Sequence, residues 1–251
     1  MSSARRVSLE PAFLLHHYPW RDTSRILELF TRTHGRVSLV ARGSRQSAAA
    51  NGGALQSFTA CLVSWSGRGE MGSLTAAERL PGNSVPGTDF SGERLMSGFY
   101  ANELLLKLLQ RHDPQPALFD TYAALLERLR ASEDAGRALR IFEKRLLDEL
   151  GWGLNLEQEA ASAAPIDASR SYRYALEGGA EPVDGVAEGT LIFSGASLLS
   201  LARESLDDPR SLADARRLLR AALDRLLDGR ALRTREVMLE MRAHAGQPQG
   251  V

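Results

Sequence analysis

The chain reads as α+β, a small β-barrel followed by a helical domain with a small hairpin insert. Two observations predict this. Apolar residues alternate with period two up to about residue 80, then recur at helical spacing beyond residue 90. Between the two regimes stands a run of turn formers, Pro81 to Gly87. At 251 residues the chain can form one large or two small domains, and its 43% apolar content is enough for buried cores. The expected domains are 1–81 and 82–251, with a poorly periodic insert at about 160–190.

Each element has its own signal. Phe13 and Leu15 alternate with Leu14 and His16, and Tyr18 to Ser24 reads as a turn. Ile26, Leu27, Leu29 and Phe30 form a second apolar run. His34-Gly35 then closes a hairpin into a strand where Val37, Leu39 and Ala41 face one way and Arg36, Ser38, Val40 and Arg42 the other. Ala54 to Ser66 reads as a fourth strand, Gly67-Arg68-Gly69 as its turn, and Met71 to Leu80 as a fifth. Five short strands fit a closed barrel of the oligonucleotide-binding (OB) type, and a generic five-stranded barrel fits the pattern equally well.

Helical spacing begins with Leu95, Phe99, Asn102, Leu105, Leu106 and Leu109. A second helix is expected over Ala117 to Arg130 and a third over Ala135 to Leu150, where Gly151 suits the C-terminal cap. Tyr172-Arg173-Tyr174 and Gly178-Gly179 suggest a minor hairpin inside the insert. Helices are expected again at Ala196 to Glu204, Pro209 to Leu227 and Arg233 to His244.

The formal net charge is zero, from 31 basic and 31 acidic residues, but it is unevenly spread. Residues 1–80 hold ten arginines against five acids, whereas residues 81–160 hold nine basic residues against thirteen acids. Only Lys107 and Lys144 are lysines. That bias follows base composition, yet it also supplies planar phosphate-binding groups. Cys61 is the only cysteine, so no disulfide forms within the chain and a buried thiol is expected. There is no signal-peptide pattern and no run long enough to span a membrane, and these features fit a cytoplasmic protein. No phosphate loop, metal-ligand spacing or nucleophile motif is present, so the chain is not read as an enzyme and no cofactor is expected.

Beyond composition, ordered motifs carry a resemblance. They run from Ala12 to Gly43 through Gly53 to Phe58, Gly98 to Leu105, Leu118 to Tyr122, Arg140 to Leu147, Leu150-Gly151-Trp152 and Ala231 to Glu236. In that order they resemble the bacterial RecO family of recombination mediators. The resemblance implies an N-terminal OB-fold and a helical C-terminal domain. It implies binding of single- and double-stranded DNA, annealing of complementary strands and contact with the C-terminal tail of single-stranded DNA-binding protein. It further implies that the chain acts with RecR in loading RecA, near the nucleoid. Two departures stand out. Some members carry four zinc-binding cysteines where this chain has Ala160 to Gly189, a stretch without Cys or His, so no zinc is expected. The loop after Arg45, lysine-rich in relatives, reads Gln46 to Gly52 here and carries no cation.

The candidate DNA contacts are Arg36, Arg42 and Arg45, then Arg21, Arg25 and Arg68, with ordinary solvated arginines as the alternative. Tyr18, Trp20 and Trp65 are expected to pack inside, with base stacking as the alternative. His16 and His17 adjoin on a strand and so point to opposite faces. For the acidic partner tail the candidates are Arg140, Arg137 and Lys144 on one helix face, with Leu105, Leu109, Phe119 and Tyr122 lining an apolar pocket if three helices bundle. The alternative is a charged face pairing with Glu133, Glu143 and Asp148. A protein- or RNA-binding OB scaffold without annealing is the competing function.

Overall fold

The computed structural model describes residues 5–42, 54–67, 70–80, 90–131, 134–183 and 191–245. In chain order the elements are β1 (Arg5–Trp20), β2 (Ser24–Thr31), β3 (Gly35–Ala41), β4 (Ala60–Gly67), β5 (Met71–Arg79), α1 (Gly92–Leu108), α2 (Pro116–Arg130) and α3 (Ala135–Glu149). There follow β6 (Ser171–Ala175), β7 (Gly179–Val183), β8 (Ile192–Ser194), α4 (Gly195–Ala202), α5 (Pro209–Leu227) and α6 (Arg233–Ala245). The chain divides into two compact units, residues 1–131 with 231–251, and residues 132–230. The compact units therefore do not divide at residue 81, because α1, α2 and α6 belong with the barrel.

Strands β1 to β5 close in the order β1-β2-β3-β5-β4, with β3 and β5 parallel and the other pairings antiparallel. This is the OB-type barrel expected from the pattern. Leu14, Leu27, Leu29, Val37, Leu39, Cys61, Val63 and Trp65 fill it. The Cys61 thiol is pushed up to about 12 by this burial. Strand β1 is long because it serves two partners, β4 along residues 5–13 and β2 along residues 12–20. Register shifts at Val7/Glu10 and Leu14/His16 bend it between them.

Helix α2 packs against the outer wall of the barrel. Phe119 and Tyr122 of α2 meet the Phe13 ring, each with centroids 5.0 Å apart, and Phe119 also meets Phe30. The β2–β3 turn is pinned by Arg32, which donates to Asp120, and by Glu10, which accepts from the Thr33 amide at 2.6 Å. Gly35 has φ +65°, and a Cβ there would stand 2.1 Å from the Asp113 carbonyl oxygen, so only glycine fits. Buried Asn102 donates to the Leu15 carbonyl at 3.0 Å and accepts from the Tyr122 hydroxyl, which fastens α1 to β1 and α2. Helix α6 returns to α1, where Glu103 accepts from the amides of Arg233 and Thr234 at 2.9 Å and caps its first turn.

The second unit builds on α3, whose Asp134 cap accepts from the amides of Gly136 and Arg137. The expected hairpin is present as β6 and β7, but β8 adds a third strand, in the order β7-β6-β8. Three residues were too few to show a period. Tyr172 is fully buried, and α5 contributes Ala215, Leu218, Leu219 and Leu223 to the core. Among the described residues no group of three or more His, Cys, Asp or Glu could hold a metal, and no helix is long and apolar enough to cross a membrane.

Candidate nucleic-acid interface

The barrel end opposite the pinned turn carries the β1–β2 hairpin. Past Leu14, among the described residues, the residues of β1 pair within the sheet only with β2, in the register His16↔Glu28, Tyr18↔Ile26, Trp20↔Ser24. Strand β2 in turn pairs with β3, placing Ile26 against Val40 and Arg25 against Ala41. With Leu27, Leu29, Val37 and Leu39 inside, alternation puts His16, Tyr18, Trp20, Ile26, Arg36, Ser38 and Val40 on the outer face.

The six expected DNA-binding arginines divide. Arg21 is exposed in the β1–β2 turn, at φ +53°, with its guanidinium 6.0 Å from the Trp20 ring centre. Arg25 is half-buried beside His17, and Arg42 is exposed just past β3. Among the described residues neither has a carboxylate within ion-pair distance. Burial, then Arg25 and His16, lowers the His17 pKa from its ordinary value, so His17 is neutral at physiological pH. Arg45 and Arg68 lie outside the described residues, as do the loop 46–52 and the linker 81–87.

Arg36, a candidate DNA contact with a solvated arginine as the alternative, is half-buried in an ion-pair cluster. Its guanidinium is 3.3 Å from Glu28, a carboxylate 3% exposed that also accepts from Arg111 at 2.9 Å and from the Ser38 hydroxyl at 2.6 Å. Burial lowers the Arg36 pKa while Glu28 raises it, and the group remains a cation. Glu28 holds Arg36 and Arg111 together, one carboxylate shared between two guanidinium groups. Sequence reasoning missed the pairing because Glu28 reaches Arg36 and Ser38 only through strand register, and Arg111 only through the α1–α2 connection.

The aromatic expectation is also divided. Trp65 is in the core at 8% exposure, but Tyr18 is 47% and Trp20 42% exposed. They belong to the strand, since β1 runs to Trp20 and the turn is shorter than Pro19 suggested. By the same alternation His16 is on the outer face and His17, opposite Leu27, on the other, with ring centres 6.1 Å apart, and His16 meets Tyr18 edge-on at 4.5 Å.

The basic group of the third helix is paired throughout. Arg137 contacts Asp207 at 3.4 Å, Arg140 contacts Glu143 at 3.0 Å, and Lys144 contacts Asp148 at 3.1 Å and Glu204 at 3.5 Å. Two of these pairs, with Glu143 and Asp148, are those of the charged-face alternative, while Glu133 lies outside the described residues. Arg140 is 8% and Glu143 1% exposed, whereas the Arg137 side chain is 42% exposed. Leu105, Leu109, Phe119 and Tyr122 are all buried in the first unit, the last two against Phe13, while α3 belongs to the second.

Comparison with known proteins places this architecture. Residues 6–81 match the family model described as "Recombination protein O N terminal", and residues 90–236 match "Recombination protein O C terminal". The chain belongs to the RecO family. It is 40% identical over 241 residues to DNA repair protein RecO of Aromatoleum aromaticum, covering 96% of this chain and 99% of the relative. It is 46% identical over 242 residues to the protein of the same name from Alkalilimnicola ehrlichii, covering 95% and 94%. A third relative so named, from Nitrosococcus oceani, is 43% identical over 239 residues, 94% of this chain and 95% of its own length. The two RecO matches end and begin on either side of the turn-rich segment that the sequence marks.

Proposed function

We propose that this RecO family protein is a mediator of DNA repair that binds single- and double-stranded DNA through the β1–β2 hairpin end of its barrel and anneals complementary strands. The relatives, named as DNA repair proteins over nearly their whole length, support this reading. The observation that carries it is the arrangement of Arg21, Arg25 and Arg42 around one exposed hairpin, with no carboxylate among the described residues neutralising Arg25 or Arg42. Such cations bind phosphates of any sequence. In the same reading the protein acts with RecR, hands coated DNA to RecA at the nucleoid, and performs no covalent chemistry. The acidic tail of single-stranded DNA-binding protein falls to α3, where Arg137 is the accessible cation and Arg140 supports the helix from within.

A titration against single- and double-stranded DNA at several salt concentrations tests the site. Replacing Arg21, Arg25 and Arg42 together by Ala should weaken both complexes and flatten the log–log salt slope by up to about 2 units for the single strand and about 3 for the duplex. An unchanged affinity and slope would remove this end of the barrel from the DNA site.

A further inference from the structure

Three aromatic or heteroaromatic rings, His16, Tyr18 and Trp20, stand at every second residue on one face of β1, and all three are exposed. A strand spaces such positions by about 6.8 Å. Exposed Trp and Tyr side by side are costly to leave in water, since each brings a large apolar face. Burial on folding does not explain them. Among the described residues this part of β1 pairs on one side only, with β2. At its tip Arg21 lies over Trp20, and Arg42 follows β3 beside the same hairpin. Half-buried Ile26 and Val40 continue the face from Tyr18 across the sheet.

We infer that His16, Tyr18 and Trp20 form a base-stacking platform that selects single-stranded nucleic acid over duplex. The inference rests on the reading of the barrel as a DNA-binding surface and adds how that surface tells the two forms apart. Cations at the tip meet phosphates, and rings between them meet base faces. In a duplex those faces are already stacked on neighbouring pairs, so the platform has nothing to bind. A single strand offers one face per nucleotide, whatever its sequence. Stacking also leaves the pairing edges of the bases uncovered, unlike hydrogen-bond readout, so a held strand stays competent to meet its complement.

The experiment compares three probes of equal length: an oligothymidylate, a duplex, and an abasic strand that keeps the phosphates without the bases. The wild-type protein should bind the oligothymidylate about tenfold or more tightly than the abasic strand. Joint Trp20→Leu and Tyr18→Leu substitution should abolish that difference while leaving the duplex and abasic affinities unchanged. Trp20→Phe keeps a ring and should restore part of it, and unaltered thermal unfolding of each variant checks the fold. Equal wild-type affinity for oligothymidylate and abasic strand, or equal loss on all three probes, overturns the platform but leaves the arginine site standing. Wild-type protein that binds none of the probes overturns both. Wild-type dimers that dissociate in the Leu variant, with single-strand affinity intact, would assign the row to a second copy and also overturn it.

Discussion

Glu28→Gln should weaken the fold and strengthen DNA binding at once. The carboxylate is buried and accepts from Ser38 at 2.6 Å, Arg111 at 2.9 Å and Arg36 at 3.3 Å. The amide preserves the shape and one acceptor, which serves Ser38. It turns charge-assisted contacts into neutral ones and points an NH2 toward a guanidinium. Losing contacts of that kind costs about 1.5 to 3 kcal/mol. For a chain of this size that lowers the unfolding midpoint by roughly 3 to 12 °C. The same change releases the Arg36 charge on the outer face of the barrel, next to Tyr18. One more available cation steepens the single-strand salt slope by up to about 0.7 units. Calorimetry and a salt-dependent titration on one preparation read both effects. An unchanged midpoint would mean that Glu28 is not the hub of the cluster, and weaker DNA binding would mean that Arg36 is not held back by it.

Two further outcomes follow from the charged pairs. Arg140→Ala should cost about 3 to 5 kcal/mol in urea unfolding, because Glu143 stays buried without its cation, whereas exposed Arg137→Ala should stay within about 0.5 kcal/mol; equal costs would contradict the burial argument. Burial opposes the Glu103 carboxylate, but hydrogen bonds from Thr234 and Arg233 and the charge of Lys107 outweigh it and hold the pKa below the ordinary value. A folded-state pKa below the unfolded one stabilises fully above the ordinary carboxylate range and is lost as pH falls through the depressed value. Glu103→Gln should therefore destabilise at neutral pH and lose that deficit in acid, and a deficit independent of pH would refute the cap.

The barrel was legible where strands have one wet and one dry face. Val37, Leu39 and Ala41 alternate with Arg36, Ser38 and Val40 because the core lies on one side only, and the period survives in the residue order. The hairpin tip was not legible for the opposite reason. Residues 16–20 are exposed on both sides, so their polarity has no period, and Pro19 between two aromatics reads as a turn. The arginines could be counted but not sorted, since whether a guanidinium is available depends on which carboxylate the register brings to it. Arg36 and Arg42 look alike in sequence, and only the pairing of β2 with β3 separates them. Helix α6 was expected from its spacing, and Val237, Leu239 and Met241 face water, yet its first turn is held by Glu103, 130 residues earlier in the chain. A contact at that separation leaves no local trace.

That return of α6 to α1 also sets a timetable. The unit begun first at the ribosome is finished last, because its closing helix is translated only after the whole of residues 132–230. At about 5 to 20 residues per second, the barrel with α1 and α2 waits roughly 5 to 20 seconds for the piece that completes it. Meanwhile the Glu103 carboxylate faces solvent and the surface that receives α6 stays open on a nascent chain. A message truncated near codon 230 would release the second unit entire and the first one permanently incomplete.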